Sequence, residues 1–260
     1  MSGQIKYQWR ITKYNPDYRD ENGYYTLKEE WTCPSEIGKI IDGKEFTLEE
    51  YLDIEAKYID TLIAFIIESG LNTLRILQLS EQKISTEDRS SVLYETEFDE
   101  LILEEDKIVT LNDIVIISKM ILRNFVHCQL YLKDRFFAHF GWDYYMYIGS
   151  SEKSLSAITI ATERGLFVEE IDSSPYYFLE EDTTRLVQWS KKENELGMNE
   201  GDEELLEFPL EELRLIFNLS SQHPVVGNIK IKIEYKDFFQ RYLNHKMDFD
   251  KYEYFFWGGY

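Results

Sequence analysis

The chain has 260 residues, 43% of them hydrophobic, and 49 acidic against 28 basic side chains set a formal net charge of −21. That hydrophobic share supplies the core of one large domain or two ordinary ones, which excludes a disordered chain. No run reaches the roughly eighteen apolar residues that cross a bilayer, the N-terminal MSGQIKYQWR lacks a signal peptide's apolar segment, and Cys33 and Cys128 are too few for a disulfide framework or a cysteine-rich zinc site.

In chain order, IKYQWRITKYNP alternates like a strand and breaks at Asn15-Pro16 into the turn-rich DYRDENGYY. From Thr47 the period changes: Thr47 with Glu50 forms a capping box, and Leu48, Tyr51, Leu52, Ile59, Leu62, Ile63 and Ile66 share one helical face up to the stop at Gly70. LRILQLS, Leu74 to Ser80, reads as a buried strand, followed by a polar loop through Ser91. Thr110 and Asp113 cap a second helix that carries Ile114, Val115, Ile117, Ile121, Leu122, Phe125 and Val126. FFAHFGWDYYMYIGS predicts one long strand, SEKSLSAITIATER a helix stopped by Gly165, and LFVEEI another strand.

After Pro175 the composition shifts, and Glu193 to Glu212 hold nine acidic and no basic side chains. A boundary between about 175 and 200 divides an N-terminal α/β domain, 1–180, from a smaller acidic α+β subdomain, 181–260. In the second part Pro209 opens a short helix with Leu210, Leu213, Ile216 and Phe217 inward. NIKIKIEY then points Ile229, Ile231, Ile233 and Tyr235 one way and Lys230, Lys232 and Glu234 the other. The aromatic end KYEYFFWGGY is expected to pack on the body of the protein. Interleaved strands and helices predict an α/β class, an α+β sandwich of a mixed sheet with packed helices, with antiparallel pairs as compatible as a parallel sheet.

Gly38-Lys39-Ile40-Ile41-Asp42-Gly43-Lys44-Glu45 has most of a phosphate-binding loop, but Glu45 stands where magnesium needs a Ser or Thr hydroxyl. An ordinary turn reversing at Asp42-Gly43 is the expectation. His127, His139, His223 and His245 are dispersed and show no metal-ligand spacing, so no metal and no cofactor is expected. His139 and Asp143 fall on one face of the expected long strand, and His245 lies near Asp248 and Asp250; a hydrogen-bonded structural histidine is the expectation for each pair. No GxSxG occurs, and Cys128 reads as a small buried hydrophobe. The carboxylate runs Glu104–Asp106, Glu169–Glu170 and Glu180–Asp182 read as solvated faces, with a catalytic carboxylate pair as the alternative. Basic residues cluster only at Lys230, Lys232, Lys236, Arg241 and Lys246, and the net charge repels phosphate backbones and anionic membranes.

YQWRITKYNP, RDENGYY, EEWT and EIGK together resemble an uncharacterised bacterial family of small cytoplasmic proteins, over roughly the first 80 residues. That resemblance implies no catalytic motif and a cytoplasmic location. In size, acidity and α/β reading the chain is also similar to immunity proteins, which block a toxin domain, often a basic nuclease. The resulting expectation is an acidic protein-binding module for a basic protein. Glu200, Asp202, Glu203 and Glu204 would steer the partner, and Tyr176, Tyr177 and Trp189 would anchor it. The alternatives are a hydrolase using clustered carboxylates and a component of a phage-defence or counter-defence system.

Overall fold

The computed structural model describes residues 4–27, 30–80, 84–177, 180–192 and 199–259. The chain forms two compact units, Met1–Tyr177 and Phe178–Tyr260, and its class is α+β. Among the described residues every strand pair is antiparallel, and no helix is long and apolar enough to cross a membrane.

The larger unit opens with β1 (Tyr7–Thr12), whose Trp9 and Ile11 are buried. A small hairpin follows, β2 (Ile40–Ile41) and β3 (Lys44–Glu45). Between them Asp42 and Gly43 have φ of 48° and 73°, the tight left-handed reversal that Asp-Gly favours. The Gly38–Glu45 stretch is therefore a hairpin. α1 (Leu48–Glu68) starts at its capping box, the Thr47 hydroxyl accepting the Glu50 N–H while the Glu50 carboxylate accepts the Thr47 N–H. Tyr51, Tyr58, Leu62, Phe65 and Ile66 are fully buried; Leu52, counted on the same face by sequence, is 39% exposed because it follows Tyr51 by about 100° of helical rotation.

β4 (Thr73–Leu77), α2 (Glu97–Glu100), β5 (Ile108–Thr110) and α3 (Leu111–Leu122) come next. Thr110 and Asp113 cap α3 reciprocally. The helix ends at Leu122 and Asn124 turns the chain at φ 62°, so Phe125 and Val126 are buried beyond the helix and not on it. The unit continues through β6 (Gln129–Leu132), β7 (Phe136–Phe140), β8 (Met146–Ser150), α4 (Leu155–Glu163) and β9 (Phe167–Glu170). The long strand expected over 136–150 is a hairpin. Asp143 and Tyr144, at φ 55° and 61°, reverse the chain and set Ala138 opposite Ile148. α4 begins at Leu155, later than expected, where the Glu68 carboxylate accepts the N–H groups of Ser156 and Ala157.

The seven strands order as β5-β4-β6-β7-β8-β1-β9. One sheet face gives Trp9, Ile11, Leu74, Ile76, Leu130, Ala138, Met146 and Ile148 to the core formed with α1 and α3. Each large apolar side chain buried there is worth about 1.5–3 kcal/mol, which ties the alternation of the strands to one face.

The smaller unit comprises β10 (Thr184–Lys191), β11 (Gly201–Glu204), α5 (Leu210–Ile216), β12 (Gly227–Ile231), α6 (Lys236–Phe239) and β13 (Tyr252–Gly259). Its sheet runs β11-β10-β13-β12, so the aromatic C-terminal stretch is a central strand. Val187, Leu213, Ile231, Phe239, Tyr254 and Phe256 form the core. The strand expected over 228–235 stops at Ile231 because residues 233–235 coil into a helical turn, which leaves Ile233 64% exposed. Two buried arginines hold the segment before β12. Arg185 donates to Pro224 O and Val225 O, and Arg214 to His223 O. They support Val225 at φ 54°, a conformation costly for a β-branched side chain.

Candidate functional site

Successive side chains of a strand face opposite sides of its sheet. On β10, Arg185 and Val187 are buried, so Leu186, Gln188 and Ser190 take the other face; on β13, Tyr254 and Phe256 are buried and Glu253, Phe255 and Trp257 take it. The register aligns these residues in two rows across all four strands. One row is Asp202, Gln188, Phe255 and Lys230; the next is Glu204, Leu186, Trp257 and Asn228. The edge residues Asp202, Glu204, Asn228 and Lys230 are exposed, and the central ones are half-buried. Leu186, Phe255 and Trp257 stand outside the hydrophobic core. The Trp257 ring lies along its strand over Gly259, where an added Cβ would stand 2.6 Å from Cζ2.

The charges of this face are unequal in their freedom. Lys230 pairs with Glu253 at 2.8 Å. Asp202 and Glu204 have no hydrogen-bond or ion-pair partner among the described residues. The face is thus an aromatic and aliphatic strip with two unpaired carboxylates along its β11 edge. Charges on an edge strand also discourage another chain from adding to the sheet.

The other residues singled out by sequence lie elsewhere. Residues 193–198, part of the acidic stretch, lie outside the described residues. Glu200 pairs with Lys191 at 2.8 Å. Glu203 turns to the opposite face from Asp202 and accepts the N–H groups of Asn244 (2.7 Å) and His245 (3.0 Å) and the Asn244 side-chain amide. Burial pushes its pKa up, but these amides outweigh it and hold the carboxyl below the usual range. Trp189 is stacked on His245. Tyr176 and Tyr177 belong to the larger unit, stacked on His139 (3.8 Å) and Phe137 (5.1 Å). Phe255 and Trp257 belong to the aromatic end expected to pack on the body of the protein; the alternation in YEYFFWGG, with Tyr254 and Phe256 inward, is the signal that sets them apart.

Each carboxylate run is divided: Glu104, Glu170 and Asp182 are exposed, as expected of a solvated face, while Glu105, Asp106, Glu169 and Glu180 take structural partners. Glu105 accepts the N–H groups of Gln78 and Leu79, buried Asp106 accepts from Arg75 and Tyr131, Glu169 accepts from Arg10 and Arg19, and Glu180 accepts from Arg214. The His245 ring bonds the Tyr254 hydroxyl at 2.9 Å instead of Asp248 or Asp250. His139 and Asp143 line one cavity at the β7–β8 reversal, and among the described residues no hydrogen bond joins them. Among the described residues no group of three or more His, Cys, Asp and Glu is placed to hold a metal ion. Cys128 is buried, and burial pushes its thiol up, away from nucleophilic use.

Residues 184–257 match the model of a domain of unknown function, DUF7683. The matched span runs from the first residue of β10 to Trp257 and takes in every member of both rows. No curated protein and no solved structure matches the chain.

Proposed function

We propose that the protein is an acidic binding module that recognises a basic protein through the open face of its smaller sheet, in the manner of an immunity protein that neutralises a toxin. The observation that carries this reading is the juxtaposition of unpaired Asp202 and Glu204 with half-exposed Phe255 and Trp257 on one face. Carboxylates at a rim raise the encounter rate with a cationic surface, and aromatic side chains beside them supply area that is desolvated on contact. The net charge of −21 extends the same attraction over longer range.

The test is affinity capture from an extract of the source cells with the native protein and with Trp257→Ala and Asp202→Asn/Glu204→Gln variants. The native protein is expected to retain a basic protein that both variants lose, and co-expression is expected to relieve that partner's toxicity. Identical captured sets for native and variant proteins would refute the reading.

A further inference from the structure

A second feature, independent of that reading, lies in the larger unit at the reversal between β7 and β8. A cavity of about 470 Å³ opens there, within the size range that holds small organic ligands. Phe140, Trp142, Tyr144 and Tyr176 give it aromatic walls, and among the described residues no Lys or Arg lines it. Trp142 contributes to the lining although it is 85% exposed. The consecutive left-handed residues Asp143 and Tyr144 hold the chain in this turn, and strained backbone of this kind persists where its surroundings over-determine it.

Asp143 and His139 of the lining each carry a polar atom without a partner among the described residues. Asp143 is exposed, and among the described residues its carboxylate makes no hydrogen bond or ion pair. The Lys13 ammonium, which senses the Asp143 charge, is already held by Glu30 at 2.6 Å between the rings of Tyr14 and Trp31. His139 lies under the Tyr176 ring, and its fully buried Nδ1 has no hydrogen-bond partner. Burial, with a smaller contribution from His127, pushes its pKa down to about 4. The ring is therefore neutral at pH 7 and keeps one acceptor nitrogen.

An anion would meet the Asp143 carboxylate and the field of a strongly acidic protein, with no Lys or Arg among the described lining residues to oppose them. A cation gains from both, and from the aromatic faces as well. We propose that this cavity binds an organic ammonium ion, a protonated amine on an aromatic body, with its charge set against Asp143 and the aromatic walls and one N–H donated to His139.

Phenethylamine, phenethyl alcohol and 3-phenylpropionate share a body and differ in charge, so calorimetry on the full chain separates charge from shape. Phenethylamine is expected to bind about tenfold tighter than the alcohol, and the carboxylate weakest. Asp143→Asn, tolerated at positive φ because Asn adopts the same conformation, is expected to bring the amine down to the level of the alcohol and leave the alcohol unchanged. His139→Phe keeps the stack on Tyr176 and is expected to weaken phenethylamine but not benzyltrimethylammonium, which has no N–H to donate. Absence of millimolar amine binding, equal affinities across the series, or an amine preference that survives Asp143→Asn would each overturn the proposal.

Discussion

The indole of Trp189 and the imidazole of His245 lie face to face, 4.0 Å between centroids and 9° from parallel. Gly201, opposite Trp189 on the neighbouring strand, is in contact with the same indole: an added Cβ would stand 2.6 Å from Cζ2. The loop that carries His245 is held further by Glu203, so Trp189 and Glu203 together fasten one loop to the sheet. Gly201→Ala is expected to displace the indole and cost about 1–3 kcal/mol, the usual range for overpacking. Urea unfolding measures it, with the near-UV tryptophan signal as the local reporter; a midpoint equal to the native one would show that the ring moves aside without cost.

Arg123 and Glu55 form a buried two-pronged ion pair, both contacts at 2.7 Å, between the end of α3 and the middle of α1. Arg123→Met leaves Glu55 buried without its cation and is expected to cost about 3–5 kcal/mol. Replacing both, Glu55→Leu with Arg123→Met, is expected to recover much of that loss. A double variant as unstable as the single one, by the same unfolding measurement, would place the cost in packing and not in the stranded charge.

His139 makes the larger unit sensitive to acid. Its folded pKa, about 4, lies below the ordinary histidine value of 6.5, so the folded state disfavours the protonated ring. The associated stability is fully present above pH 6.5 and is lost as pH falls towards 4, by up to about 3 kcal/mol. His139→Phe is expected to flatten that part of the stability–pH profile. An unaltered slope between pH 6.5 and 4 would assign the acid sensitivity to other groups.

On the open face the two kinds of side chain are expected to act on different rate constants. Asp202→Asn/Glu204→Gln should slow association with the basic partner, and the difference should shrink with salt, since the Debye length is about 8 Å at physiological ionic strength. Trp257→Ala should instead speed dissociation, by the factor of about 30 that a 2 kcal/mol anchor implies. Stopped-flow mixing across a salt series separates them, and a salt-independent association difference would remove the carboxylates from steering.

The helix starts at Thr47 and Thr110 and the Asp42-Gly43 reversal were legible in the chain itself, because each is decided by hydrogen bonds or backbone preferences spanning three or four residues. The strand at β1 and the inward face of α1, Leu52 excepted, followed from periodicity for the same local reason. The β7–β8 hairpin did not, since Asp143 and Tyr144 adopt left-handed backbone without Asn-Gly or Pro to announce it, and the pairing of Ala138 with Ile148 maintains the turn from outside. Gly201–Glu204 has no strand pattern at all and becomes a strand only because β10 offers it partners. Charge composition determined that the protein is acidic, but only register decided which acids are unpaired: Asp202 and Glu204 fall on the open face while Glu203, between them, turns to the amides of Asn244 and His245. A side chain's residue type and spacing are properties of the chain, whereas its partner, and so its availability to another molecule, depends on segments some forty residues away that only the folded sheet brings within reach.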